Sequence, residues 1–338
     1  MDIKTYRQPN ASATELTEIL REKYGSNKNF DYFLSDFKKA FNFCLDNENV
    51  FFYPIAGFEN GKMSAHAALI IDRRLPDGEA FFGFLEFPQD KLIFNLLWGN
   101  LIEEAKKKGI KILKGPVNGS IWHQYRCIKE TDNSPFFKTE LFCESYYYDF
   151  LISSNPNVEV IYHSAYREPF DIVLHMISED SYKKLTDHGF SIKETKHVTP
   201  EELRTIAEIS RTVFHGSWGF TELNEKEFTQ LYSPKELAVR LNTLFLLYRN
   251  NEIIGFCSTS NEDAHTLICK TICILPKYQG LGLGNALAYR IHFNAQKEGF
   301  NKMIYALIRE GNNIKNFPKE DTVIFRRYAA FEFLISST

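Results

Sequence analysis

The residues best suited to chemistry lie in one stretch, Thr271-Ile-Cys-Ile-Leu-Pro-Lys-Tyr-Gln-Gly-Leu-Gly-Leu-Gly-Asn-Ala-Leu287. An apolar run ends at Leu275, and Pro276, which cannot donate to a ladder, helps close it. Gln279, Gly280, Gly282 and Gly284 then lead straight into a helical pattern. Alternating glycines let the backbone approach a ligand closely and turn its N–H groups inward. The start of the following helix adds its positive end. The combination is an anion cradle suited to a pyrophosphate. It lacks the further glycine of a dinucleotide fingerprint, and no Gly-Lys-Ser/Thr follows, so it is not a P-loop.

The string Pro276-x-x-Gln279-Gly280-x-Gly282-x-Gly284 resembles the acyl-CoA signature of the GCN5-related N-acetyltransferases. The resemblance implies that the strand before the turn splays from its neighbour. The backbone of Ile272 and Ile274 would then meet a pantetheine arm. Gln279, Gly280, Leu281, Gly282, Leu283 and Gly284 would hold the pyrophosphate, and Asn312 and Asn313 resemble the family's pantetheine-side Asn. Phe214-His-Gly-Ser-Trp-Gly-Phe-Thr-Glu-Leu-Asn-Glu-Lys-Glu-Phe228 is similar to a segment of long bacterial members that read as two such domains in tandem. Phe81–Glu86, Gly115–Ser120 and Phe325–Glu332 also resemble that group. The first-half counterpart of the cradle, Phe87-Pro-Gln-Asp-Lys-Leu92, contains no glycine, so side chains would crowd a pyrophosphate there.

Acyl transfer to an amine needs a base for the amine and an acid for the departing thiolate. The family's Tyr acid is missing from its usual place, where Lys319 and Glu320 stand, and Tyr328 is the nearest substitute beside an ordinary strand role. Glu222 and His215 flank Trp218 on the side where the family shapes its acceptor site; helix capping near Thr221 is the alternative. Asn118, Trp122, His123, Tyr125 and Arg126 form a polar, aromatic loop that either lines an acceptor pocket or packs at a domain interface. Glu262, Asp263 and His265 read as a solvated hairpin tip, and Cys269 as core.

Two sets of elements must position these residues. Phe51–Phe58, Asn60-Gly61 and Ser64–Asp72 predict a hairpin. An aromatic strand 81–87, a helix 90–108 stopped by Gly109 and a short strand 110–113 follow. The order recurs later: a hairpin 243–258 turning at Asn250-Asn251, a strand 267–275, a helix 284–298 stopped by Gly299, and a strand 302–307. The fold class is α/β (mixed α+β), with two tandem domains, each a twisted mixed β-sheet flanked by helices. Residues 1–180 form a degenerate copy without the glycine loop, and 181–338 form the acyl-CoA domain.

A chain of 338 residues with 44% hydrophobic and 25% charged residues has room for two soluble domains. A net charge of −3 disfavours nucleic-acid binding, and no run of about 18 apolar residues predicts a membrane span. Six Cys without a CxxC pair read as buried residues of a reducing compartment, and a polar N-terminus without an apolar segment points to the cytoplasm. The expected activity is N-acetyl transfer from acetyl-CoA to a primary amine on a small molecule or peptide, by direct transfer and with no metal. The alternatives are an acyl carrier protein as donor, or a non-catalytic CoA-binding scaffold. The acceptor and the oligomeric state are open. The 30 Phe and 17 Tyr are the unusual feature of the composition and require a place in the fold.

Overall fold

Both predicted hairpins form where the turn residues tolerate left-handed backbone. Asn60 and Gly61 have φ of 51° and 80°, and Asn250 and Asn251 have φ of 48° and 70°. Such turns match the right-handed twist of the strands they join. The computed structural model describes residues 2–5, 12–176, 179–311 and 322–336. Asn312 and Asn313 lie outside the described residues.

In chain order the first elements are β1 (Asp2–Thr5), α1 (Ala13–Tyr24), α2 (Phe30–Asp46), β2 (Val50–Glu59), β3 (Lys62–Asp72), β4 (Glu79–Glu86), α3 (Lys91–Lys107) and β5 (Ile112–Gly115). Then come β6 (Val117–Asn118), β7 (Gln124–Tyr125), β8 (Cys127–Thr131), α4 (Tyr146–Ile152), β9 (Val158–Arg167), α5 (Asp171–Met176), α6 (Glu179–Asp187) and β10 (Phe190–Thr195). The remainder are α7 (Pro200–Phe214), α8 (Glu225–Leu231), α9 (Pro234–Arg240), β11 (Thr243–Arg249), β12 (Glu252–Asn261), β13 (Thr266–Ile274), α10 (Leu283–Lys297), β14 (Lys302–Arg309) and β15 (Val323–Leu334). Two compact units result. Unit 1 holds Met1–Tyr162, Trp218–Thr221 and Arg326–Thr338; unit 2 holds His163–Ser217 and Glu222–Phe325. The units are not consecutive in the chain: β9 begins in unit 1 and ends in unit 2, and β15 does the reverse.

Unit 1 orders its strands β1-β2-β3-β4-β5-β15, with β8 also paired to β15. The β4–β5 pair is parallel and the others are antiparallel. Much of the aromatic excess is here. Phe30, Phe33, Phe37 and Phe41 recur at three- and four-residue spacing on α2, so they share one buried face. Phe33 stacks on Phe142 at 4.5 Å, and Phe37, Phe41 and Phe52 set their rings against Phe84 at 5.2, 5.3 and 5.5 Å. Such aromatic pairs contribute about 0.5–1.5 kcal/mol each beyond area burial.

Unit 2 orders its strands β9-β14-β13-β12-β11-β10, with only β13–β14 parallel among the registered pairs. The helix α7 opens with a capping box between Thr199 and Glu202 and with Pro200 in its first turn. The helix α10 buries Leu283, Ala286, Leu287, Ile291 and Ala295 against Leu267 and Met303. His292 on α10 contacts the Ala288 carbonyl through Nδ1 at 2.7 Å, so Nδ1 carries the proton and Nε2 accepts from the Tyr305 hydroxyl at 2.7 Å. That bond pins α10 to β14. All six cysteines are buried and unbridged, as the sequence reading expects.

His66 in unit 1 is also buried, with Nδ1 2.7 Å from the Phe84 carbonyl. Burial pulls the pKa of both His66 and His292 down to about 4. The unfolded chain takes up these protons near pH 6.5 and the folded chain only near pH 4. Their contribution is therefore complete above about pH 6.5 and is lost as pH falls towards about 4, by up to about 3 kcal/mol each. Denaturant midpoints measured across about pH 4–7 are expected to drop on acidification, with a shallower slope in His66→Asn. An unchanged slope in that variant rejects the assignment.

Candidate functional site

In unit 2, β13 pairs with β12 through Ile274 but with β14 only from Thr266↔Lys302 to Cys269↔Tyr305. The β12–β13 register shifts between Ser258 and Thr259, opposite Lys270, so a bulge sits where β13 and β14 part. Leu275 N–H donates to Ile254 O at 2.9 Å. Strand alternation then turns the backbone groups of Ile274 and Ile272 to the opposite edge, which β14 no longer covers. The Ile272 side chain is 44% exposed. The fork is thus an open strand edge of the kind an extended amide chain can join.

The Gly-rich turn begins at the end of this edge. Gln279 Nε2 donates to Ile274 O at 2.9 Å, so its side chain ties the turn to the strand. Gly280 and Gly282 adopt φ of 82° and 80°, and Gly282 caps α10. Asn285 and Ala286 fold back onto Gly282 O at 3.1 and 3.3 Å. Among the described residues no acceptor is present for the N–H groups of Gly280 through Gly284. A Cβ at Gly280, Gly282 or Gly284 meets nothing within 4 Å. Leu283 is buried at 2% exposure and anchors the turn, while Leu281 points outward at 53%. A row of unsatisfied N–H donors at the positive end of an anchored helix, beneath open space, is an arrangement that can accept an anion of several oxygens.

Unit 1 has the same strand–turn–helix order but has filled both features. The Asp90 carboxylate caps α3, accepting from Leu92 N at 2.8 Å and Ile93 N at 3.0 Å. Its charge occupies the place an anionic ligand would take. After Phe81↔Lys114 the strands β4 and β5 also part. There Asn118 Oδ1 accepts the Phe84 N–H at 2.6 Å, and Val117 O stands where a Gly83 Cβ would have to go. The chain itself fills that cleft, which is why position 83 admits only glycine. Asp90 was legible as an N-cap signal before an apolar periodic run; the Asn118 contact, 34 residues from Phe84, had no sequence signal.

The remaining candidates separate. Trp122, Tyr125 and Trp218 come together in unit 1: Trp122 Nε1 donates to Thr221 O at 2.7 Å, and Trp218 stacks on Tyr125 at 6.3 Å. His215 is exposed at the C-cap of α7 in unit 2. Glu222 is exposed, 4.0 Å from Arg211 Nε. Tyr328 is buried in unit 1, where its hydroxyl donates to Glu140 Oε1 at 2.6 Å. That geometry gives the Tyr328 hydroxyl a buried carboxylate partner within unit 1. Asp263 Oδ1 accepts from His265 N and Thr266 N, so the 262–265 segment is a side-chain-closed turn. No helix among the described residues is long and apolar enough to cross a membrane.

A family model described as Acetyltransferase (GNAT) family matches residues 203–316, which contain the whole fork and cradle. Among solved structures, a tandem GNAT protein from the clavulanic acid biosynthesis pathway superposes with a TM-score of 0.61 at 10% identity, over 100% of both chains. A GCN5-related N-acetyltransferase from Anabaena variabilis gives 0.59 at 10% identity, over 99% of this chain and 73% of that one. A probable N-acyltransferase from Enterococcus faecalis gives 0.60 at 8%, over 99% and 73%. Among curated protein sequences none matches. Residues 203–316 therefore match the GNAT family model, and the chain as a whole has the fold of a tandem GNAT protein.

Proposed function

We propose that this protein is an N-acyltransferase whose unit 2 binds acetyl-CoA and whose reaction is direct transfer of the acetyl group to a primary amine. The observation that carries this reading is the row of unsatisfied N–H groups from Gly280 to Gly284 at the end of an open strand edge. The residues fit the donor: the cradle suits its pyrophosphate, and the strand edge that β14 leaves uncovered, at Ile272 and at the Ile274 N–H, suits its pantetheine amides. Bound there, the donor supplies an activated acyl thioester. The chain's own part is to hold that arm beside the fork and to leave the acceptor amine deprotonated. Of the two acid–base candidates only Glu222 faces solvent. Direct transfer is favoured because the Cys269 thiol at the fork is buried against Cys257 Sγ at 3.6 Å. The functional division is placed near residue 180, with 1–180 in a supporting role and 181–338 carrying the donor. The pyrophosphate cradle favours CoA over an acyl carrier protein, whose arm ends in a single phosphodiester.

Calorimetry with CoA is expected to give micromolar binding at one equivalent per chain, because Asp90 and Asn118 block the corresponding features of unit 1. Acetyl-CoA with a panel of primary amines is expected to release free CoA only in the presence of an acceptor. Absence of CoA binding overturns the reading, and two equivalents overturn the assignment of unit 1. A non-catalytic CoA-binding role is the second reading, favoured by the engagement of Tyr328 with Glu140. It predicts one equivalent of CoA and no transfer to any amine.

A further inference from the structure

Unit 1 contains a cavity of about 20 Å³, lined by Glu86, Asn118, Arg126, Cys127, Cys143 and Tyr147 with phenyl rings around them. Arg126 is 7% exposed and has a left-handed backbone, φ 86°. That conformation is disfavoured for a non-glycine residue and persists only where surrounding structure enforces it. Its guanidinium carbon lies 3.7 Å from the Tyr125 ring centre and 4.1 Å from that of Tyr162. The rings cover two sides of the cation and leave its N–H edge. Nε is buried and has no partner among the described residues, and none of them forms an ion pair with Arg126.

The charges around the cavity do not cancel. Glu86 is answered by Lys23, whose Nζ lies 3.0 Å from Oε2, and by the Tyr147 hydroxyl at 2.7 Å. Burial pushes the Cys127 and Cys143 thiols up, so both are neutral. Among the described residues Arg126 is left as a cation without an ion-pair partner, its Nε buried and unbonded. A buried cation without an anion or hydrogen-bond acceptors is strongly disfavoured. The Trp218 indole N–H, on the ring stacked against Tyr125, is a second buried donor without a partner.

We propose that unit 1 binds a small carboxylate at Arg126, through the N–H edge of the guanidinium. Carboxylate is among the anions that match a planar fork of donors, and it is the smaller of them. The cavity has room for only a few atoms, since a single water already needs about 10–15 Å³, which favours the smaller anions. The site is independent of the acyl-transfer reading, because it belongs to the unit whose glycine-free turn carries Asp90.

The full chain, with ¹⁵N-labelled arginine, is titrated with sodium formate and sodium acetate against sodium chloride at equal ionic strength. The Arg126 Nε–H resonance, assigned with Arg126→Lys, is expected to shift saturably with either carboxylate at millimolar concentration and not with chloride. The response is expected to vanish in Arg126→Gln. If neither variant folds, the wild-type melting temperature decides: a rise that saturates with formate and is absent with chloride supports the site. No saturable response, or an equal response to chloride, overturns it.

Discussion

Gly284→Glu is expected to make the fold slightly more stable and to abolish CoA binding. Position 284 lies in the first turn of α10, has no left-handed φ, and has open space above it. Replacing glycine in a helix removes a backbone-entropy penalty, and a carboxylate in the first turn complements the helix dipole. Together these are worth about 0.5–1.5 kcal/mol. The same carboxylate would stand among the N–H groups assigned to the pyrophosphate. Like charges brought together at a binding surface cost several kcal/mol, so affinity for CoA should weaken by at least about 100-fold. Gly284→Gln separates charge from bulk: it should weaken binding less at equal stability. Gly282→Glu is a poorer probe, because φ 80° strains any side chain there and confounds folding with binding. Calorimetry and denaturant midpoints on the same preparations give both quantities. Wild-type affinity in Gly284→Glu would falsify the cradle.

Glu140→Ala should be the most damaging single change among the charged residues of unit 1. Glu140 is fully buried and accepts from Arg326 Nη1 at 2.5 Å, from Tyr328 Oη at 2.6 Å and from Phe137 N at 3.2 Å. Arg326 is itself 2% exposed. Removing one partner of a buried ion pair leaves the other charge without its counterpart, at a cost of about 3–5 kcal/mol. Both Arg326 and Tyr328 sit on β15, which pairs with β8 and β5 in unit 1, so the loss should spread through that sheet. Tyr328→Phe carries the functional half of the test. With a structural role it should cost about 1.5–3 kcal/mol, the worth of a hydrogen bond to a charged group, and leave the saturated turnover of the folded enzyme unchanged. A loss of turnover by about two orders of magnitude in fully folded protein would restore Tyr328 as the catalytic acid.

Much of the element order was legible because its signals are local. Asn60-Gly61 and Asn250-Asn251 specify hairpins through the φ values that only a few residues accept, and Gly109 and Gly299 stop their helices for the same reason. The helices expected at 90–108 and 284–298 lie within a residue of the observed ends of α3 and α10. Tyr328 and the Trp122–Trp218 group were not legible in the same way. Their environments are made by partners far away in sequence: Glu140 lies 188 residues from Tyr328, and Thr221 lies 99 from Trp122. A strand Tyr that closes an ion pair and one that meets a substrate have the same local pattern.

The amino-acid sequence by itself determined the glycine-rich strand–turn–helix proposed as the anion cradle. Its chemistry is carried by glycines and by the helix that directly follows them, all within one short stretch of chain, and local conformation suffices to produce it. It also determined that the first half lacks such a glycine turn, since Phe87–Leu92 contains no glycine. The N-cap Asp90 that stands in its place is a local signal too; only the tertiary structure set Asn118 against the freed strand edge. It likewise decided that β9 and β15 each serve both units, and that Arg126 is buried with no counterion among the described residues. These are properties of which groups meet across long stretches of chain, and burial and charge balance arise only once those contacts have formed.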